Sequence, residues 1–200
     1  MSIEVRRLVA RDIENVVPII AAAYGHHDVR TAERLAHALL RPTHVALFAA
    51  IDGVPAGTVY AELFGSVAYV GGMAVDPSRQ RRGVGAALMR VLVGEIDCAH
   101  VATTLLDATE SGAPLYRQIA FEDDGEVAVW EHPVTGPSRT GGGTSSITSE
   151  DLNDIAAFDG GIFGADRSGI VREAAGEAPG RIALDRRGDG TIPRSPSRAT

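Results

Sequence analysis

Arg79, Gln80, Arg81, Arg82, Gly83 and Gly85 crowd into one short stretch of this chain. Guanidinium groups are planar, charged donors that fit phosphate oxygens. Glycines leave the backbone open to a close-lying ligand. The apolar run Tyr69–Val75 leads in through Asp76 and Pro77. An amphipathic helix leads out, with Val84, Ala87, Leu88, Val91 and Leu92 on one face. Its first N–H groups lack internal partners, and the helix dipole adds partial positive charge there. Strand, tight loop and helix N-terminus together form a place for an anion. A P-loop is excluded, because it needs a lysine and the chain has none. A dinucleotide fingerprint is excluded too, because Leu88 stands where its third glycine belongs.

Other side chains could do chemistry. Tyr116 lies in PLYRQIAF and Glu62 in a strand-like run. His26 and His27 fall between two helical patterns, where polar surface is the plainer reading. Cys98, at a helix end, reads as buried filler. No His, Cys or Asp cluster has metal-ligand spacing.

Placing these groups requires a sheet. Ile3 to Leu8 reads as a strand, and Asp12 as the cap of a helix from Ile13 to Tyr24. A second helix is expected over Thr31 to Leu40, before Pro42. Strands follow at His44–Ile51, Thr58–Leu63 and Val67–Val75, with Asp52-Gly53 as a hairpin turn. Gly71-Gly72 inside the third predicts a bulge or a close backbone approach. After the central helix come a strand over Val101–Asp107, a short helix from Pro114 to about Ile119 and a last strand, Glu126–Glu131.

Composition narrows the class. A length of 200 residues allows one domain, or one and a fragment, and a 44% apolar share is enough for a core. The net charge of −7 argues against broad binding to nucleic acid or anionic membrane. One cysteine excludes an internal disulfide. No run reaches membrane-spanning length, and MSIEVRRLVARDIE has no signal-peptide core. The expectation is a soluble cytoplasmic protein.

Gln80 to Gly85 fits the pattern Q/R-x-x-G-x-G/A, preceded by MAVDP and followed by the apolar helix. This resembles the acetyl-CoA pyrophosphate loop of the GNAT N-acetyltransferase superfamily. The resemblance implies an α/β (α+β) fold over residues 1–132: a mixed, mostly antiparallel sheet flanked by helices, whose usual final strand is either missing here or supplied by a later segment. It also implies acetyl-CoA as cosubstrate. The pyrophosphate would lie on Arg81, Arg82, Gly83, Val84, Gly85 and Ala86. Backbone groups of Met73, Ala74 and Val75 would hold the pantetheine arm, with an N–H near Met73 polarising the thioester. Tyr116 matches the tyrosine of the family's LYxxxGF segment, which protonates the departing thiolate. Ala120 stands in place of the glycine there.

The base is less evident. Thr104 occupies the place of a strand glutamate used by some relatives, and Thr109 that of an asparagine. The subset that acetylates protein amines is therefore not supported. Glu62 is the candidate, acting directly or through water, against the plainer reading of a solvated strand glutamate. The expected acceptor is the amine of a small molecule, and a homodimer is left open. The rival reading is a non-catalytic acyl-CoA-binding or interaction module.

Residues 133–146 are rich in Gly, Ser and Pro and read as a flexible linker. Beyond them, ITSEDLNDIAAFDGGIFG resembles VARDIENVVPIIAAAYG near the start. Ser149-Glu150-Asp151 would cap one helix, and a second would run from Arg167 to Ala175. Residues 147–184 thus resemble the truncated opening of a second GNAT-like domain, as in tandem GNAT proteins. Residues 185–200 lack periodicity and read as a disordered tail.

Overall fold

The computed structural model describes residues 1–25, 29–128 and 147–177. The chain divides into two units, Met1–Val127 and Ala128–Thr200. In the first, the order is β1 (Ile3–Arg7), α1 (Ile13–Tyr24), α2 (Val29–Ala38), β2 (His44–Ile51), β3 (Val54–Phe64), β4 (Val67–Val75), α3 (Val84–Cys98), β5 (Thr103–Leu106) and α4 (Ala113–Arg117). Spatial order follows chain order across the five strands. The first four are antiparallel neighbours, and β5 joins β4 in parallel after the α3 crossover. The mixed, mostly antiparallel sheet with flanking helices is as expected.

Strand alternation sorts side chains to the two faces. Val45, Leu47, Ala49 and Ile51 pack with Val84, Leu88, Met89, Leu92 and Ile96 of α3. Ala46, Phe48 and Ala50 join Val16, Ile19 and Ile20 of α1 on the other face. That is why β2 is buried along nearly its whole length. Met89 and Ile96, not Val91, complete the buried stripe of α3; Val91 is exposed.

Several local expectations are corrected. Asp12 precedes α1 but does not cap it through its side chain. Its carboxylate instead takes both arms of the Arg6 guanidinium, at 2.6 and 2.7 Å, and the Val9 N–H at 2.9 Å. Two charge-assisted bonds outcompete one helix-end amide. The Arg6 contact, above all, holds the Asp12 carboxyl below the usual carboxylate range. The stability this adds is present above the unfolded-state value of about 3.9 and is lost as pH falls through the lower folded value. Arg6→Leu leaves a buried carboxylate with one partner and is expected to cost about 1–3 kcal/mol. The acid limb of stability should flatten with it, read by urea denaturation between pH 3 and 7.

Cys98 is exposed, not buried filler, because the α3 stripe ends at Ile96. β3 begins earlier than expected, at Val54, directly after the Asp52-Gly53 turn. β5 is shorter, beginning at Thr103. Residues 126–128 form no strand; 129–131 of that expected element, like His26, His27, the linker and the tail, lie outside the described residues.

Ala120 has φ +67°. The Phe121 N–H bonds the Tyr116 carbonyl and the Ala120 N–H bonds the Arg117 carbonyl, which is a Schellman ending to α4. Its left-handed position favours glycine. Ala120→Gly is therefore expected to raise stability by about 0.5–1 kcal/mol, measured by urea unfolding.

The second unit holds α5 (Ser149–Phe163) and α6 (Ser168–Glu177). Thr148, not the Ser149–Asp151 run, is the cap: its hydroxyl accepts the Asp151 N–H, and Asp151 accepts the Thr148 N–H. Arg167 ties the start of α6 to Asp159 and lies over the Phe163 ring. Residues 147–148, just before α5, form no strand.

Candidate functional site

The site is built around a break in β4. Tyr60 faces Gly71 and Thr58 faces Ala74, so β4 carries one extra residue between them. Gly72 there has φ +59°. A Cβ on Gly71 would lie 2.7 Å from the Tyr60 hydroxyl, so the tyrosine ring occupies the space both glycines vacate. The expected bulge and close approach are thus both present. The β4–β5 ladder runs only from Val67 with Thr103 to Val70 with Leu106. Past the bulge, β4 continues to Val75 without a ladder partner on that side.

Ala74 and Asp76 turn to β3, the latter through Asp76 N–H to Ala56 at 2.9 Å. Met73 and Val75, by alternation, present their backbone to the open side. Two side chains reach them there. The Tyr24 hydroxyl donates to the Met73 carbonyl at 3.1 Å, and Gln80 Nε2 to the Val75 carbonyl at 3.3 Å. The Tyr24 contact spans 49 positions and left no mark in the sequence.

Below β4 the loop folds on itself. Asp76 accepts from the Ser78 N–H and hydroxyl and from Arg79, and these bonds, Ser78 first, hold its carboxyl below the usual range. Arg79 is therefore committed inside the loop. Arg81 and Arg82 are exposed and make no ion pair among the described residues. Arg81 has φ +59° and Gly83 φ +85°, and Gly83 is the N-cap of α3. The left-handed turn at Gly83 starts α3 directly after the two exposed arginines. Gly85 also serves packing: a Cβ there would meet Leu115 Cδ2 of α4 at 3.0 Å. It lets α4 approach α3.

That approach sets Tyr116, which is 8% exposed and lies with the α3-side core. Its ring meets Phe121 edge-on at 6.1 Å. Burial pushes its hydroxyl pKa up, so it is protonated at neutral pH. With Tyr69, Asp107 and Phe121 it lines a cavity of 690 Å³ along β5 and α4. Thr109 accepts from the Gly112 N–H at 3.2 Å and anchors the turn into α4.

On the other face, a row crosses the sheet: His44 of β2 opposite Glu62 of β3, opposite Tyr69 of β4, opposite Leu105 of β5. The Glu62 side chain is 12% exposed, so it is not a solvated strand glutamate. Thr43 donates to its Oε1 at 3.2 Å, and His44 Nε2 lies 3.1 Å from Oε2. Glu62 and Tyr116 thus belong to opposite faces of the sheet. His44 went unnoticed in the sequence, although it shares the parity of Ala46 and Phe48. Among the described residues no His, Cys, Asp and Glu group could hold a metal ion, and no helix is long and apolar enough to cross a membrane.

The mixed sheet thus opens beside a strand–loop–helix turn that carries two exposed arginines. Residues 12–121 match the Acetyltransferase (GNAT) family, and the chain belongs to it. It is 29% identical over 115 residues to the uncharacterized N-acetyltransferase YitH of Bacillus subtilis, covering 56% of this chain and 39% of that protein. A putative acetyltransferase from Pyrococcus horikoshii superposes with TM-score 0.66 at 27% identity, over 86% of this chain and 60% of that one. The fold is also that of AAC(6')-Iy in complex with the bisubstrate analogue CoA-S-monomethyl-acetylneamine, with TM-score 0.57 and 16% identity over 66% of this chain and 99% of that one. The chain thus spans 39% and 60% of the lengths of the first two relatives, less than two thirds of each.

Proposed function

We propose that residues 1–132 transfer the acetyl group of acetyl-CoA to an amine of a small molecule, by direct attack in a ternary complex. One observation carries the reading: the end of β4, without a partner on its β5 side, runs straight into a loop with two uncommitted arginines at the start of α3. On this reading Arg81, Arg82, Gly83, Val84, Gly85 and Ala86 hold the pyrophosphate. The pantetheine arm lies along Met73, Ala74 and Val75, displacing the Tyr24 and Gln80 side chains from the carbonyls they hold. The Met73 N–H polarises the thioester carbonyl. Glu62 takes a proton from the acceptor's ammonium group, directly or through water. The amine lone pair then forms the C–N bond, the C–S bond breaks and Tyr116 protonates the thiolate, while the nitrogen's second proton passes to water and Tyr116 recovers a proton from solvent.

The test is a panel of amines with acetyl-CoA, following free thiol. Neamine belongs in it, given the analogue bound by AAC(6')-Iy, beside diamines, polyamines and amino acids. Amine-dependent thiol release is expected from at least one member. Tight acetyl-CoA binding with no such release favours the rival, an acyl-CoA-binding module. Residues 147–184 we read as the opening of a second GNAT-like domain joined by a linker over 133–146, a reading that the two helices α5 and α6 support. A chain ending at residue 132 should then keep its acetyl-CoA affinity by calorimetry.

A further inference from the structure

His44 has a side chain only 1% exposed, at the edge of β2. Its ring stacks on Tyr60, with centroids 4.4 Å apart and planes 15° from parallel. Nε2 lies 3.1 Å from Glu62 Oε2. Neither ring nitrogen makes a well-aligned hydrogen bond among the described residues, but the Glu62 carboxylate and the Ala38 carbonyl both act on the ring as acceptors. Burying an imidazole against acceptors with imperfect alignment is costly. Packing alone would be served better by an apolar side chain. Its one strong neighbour is a carboxylate held from the other side by Thr43.

The row across the sheet gives the pair a direction. Glu62 stands between His44 and Tyr69, so it is the member nearer β4. The bulge at Gly71-Gly72 begins two residues beyond Tyr69, about 7 Å along the strand. Resting on the acetyl-transfer reading above, we infer that His44 and Glu62 form one proton-accepting pair for the acceptor's ammonium group. Glu62 faces the acceptor and His44 stands behind as its positioning residue. The ammonium N–H bond breaks and its proton passes to Glu62, then to His44 Nε2. A carboxylate and an imidazolium remain side by side, and the freed lone pair attacks the acetyl carbon. The imidazolium returns its proton to water after the product leaves.

The charges around the ring suit this task. Burial, the largest influence, lowers the pKa of His44, so the ring is neutral and ready at neutral pH. Glu62 pulls the other way and stabilises the proton once it arrives, as does the Ala38 carbonyl. Arg41 opposes it. Among the described residues, Glu62, Arg41 and the stacked Tyr60 are the titratable groups that face the ring. A histidine in the path also brings proton affinity closer to neutral pH than a carboxylate alone, where general-base catalysis is most efficient.

The experiment has two arms. Nuclear magnetic resonance follows the His44 ring through a pH titration in the parent and in Glu62→Gln, with no acceptor present. Removing the carboxylate should lower the His44 midpoint by about one unit or more. The second arm measures kcat against pH with the best amine of the panel. In His44→Gln the acidic limb should move, since the imidazole no longer takes part in accepting the proton, and the plateau should fall about tenfold. KM for acetyl-CoA and the melting temperature report whether the variant still folds and binds, and His44→Asn serves as the second variant if Gln does not fit. An unmoved limb in a folded variant, or a His44 midpoint indifferent to Glu62→Gln, overturns the pair. Full activity of Glu62→Gln overturns it as well, yet leaves acetyl transfer standing. A parent that acetylates no amine overturns the transfer reading instead.

Discussion

Gly83→Glu is expected to weaken acetyl-CoA binding by at least about a hundredfold, because setting like charges together costs several kcal/mol. The substitution puts a carboxylate at the N-cap of α3, beside Arg81 and Arg82. There it would take for itself the amides and guanidinium groups proposed to receive the pyrophosphate. Gly83 also has φ +85°, so any side chain strains the backbone by about 1–2 kcal/mol. Strain and charge must therefore be separated. Gly83→Ala carries the strain alone, and no atom but Ile3 Cδ1 lies near its Cβ, at 3.7 Å. It should lose some stability and keep affinity within about tenfold. Isothermal calorimetry on both variants decides the matter. Equal affinity in parent and Gly83→Glu would remove the loop from the cosubstrate site.

The loop was legible because its signal is local. Asp76, Pro77 and the glycines fix strand end, turn and helix start within a few residues, and the same kind of punctuation set the limits of β2 and α1. Gly25 closes α1 in a left-handed conformation, and Asp52-Gly53 closes β2, both where the sequence marks them. What the sequence hid depends on pairing between distant segments. Glu62 reads as a surface residue until the register puts it opposite His44 on one side and Tyr69 on the other. Tyr24 reads as the last residue of a helix until its hydroxyl reaches Met73. Gly85 reads as part of the ligand loop, although the space it leaves is filled by Leu115. In Asp12 even a local signal misled, because Arg6 offers its carboxylate two charged donors.

Tyr116→Phe is the sharpest separation of enzyme from binder. The hydroxyl makes no hydrogen bond among the described residues, while the ring is packed against Phe121 and the α3-side core. Phenylalanine keeps that packing, so the melting temperature should stay within a few degrees and acetyl-CoA affinity should hardly change. The hydroxyl matters only if a proton leaves it as the C–S bond breaks. Burial raises its pKa, which keeps the proton on the oxygen through neutral pH, in the state a donor requires. A group that acts only in the transition state lowers kcat without raising KM. General acid catalysis contributes about 10²–10⁴-fold, so kcat should fall by about a hundredfold or more. Acetyl-CoA affinity by calorimetry and kcat with the best amine of the panel give the two numbers needed. A variant with the parent's kcat would show that water or another group protonates the thiolate. A variant that lost affinity and rate together would make Tyr116 part of the cosubstrate's seat, not the proton donor.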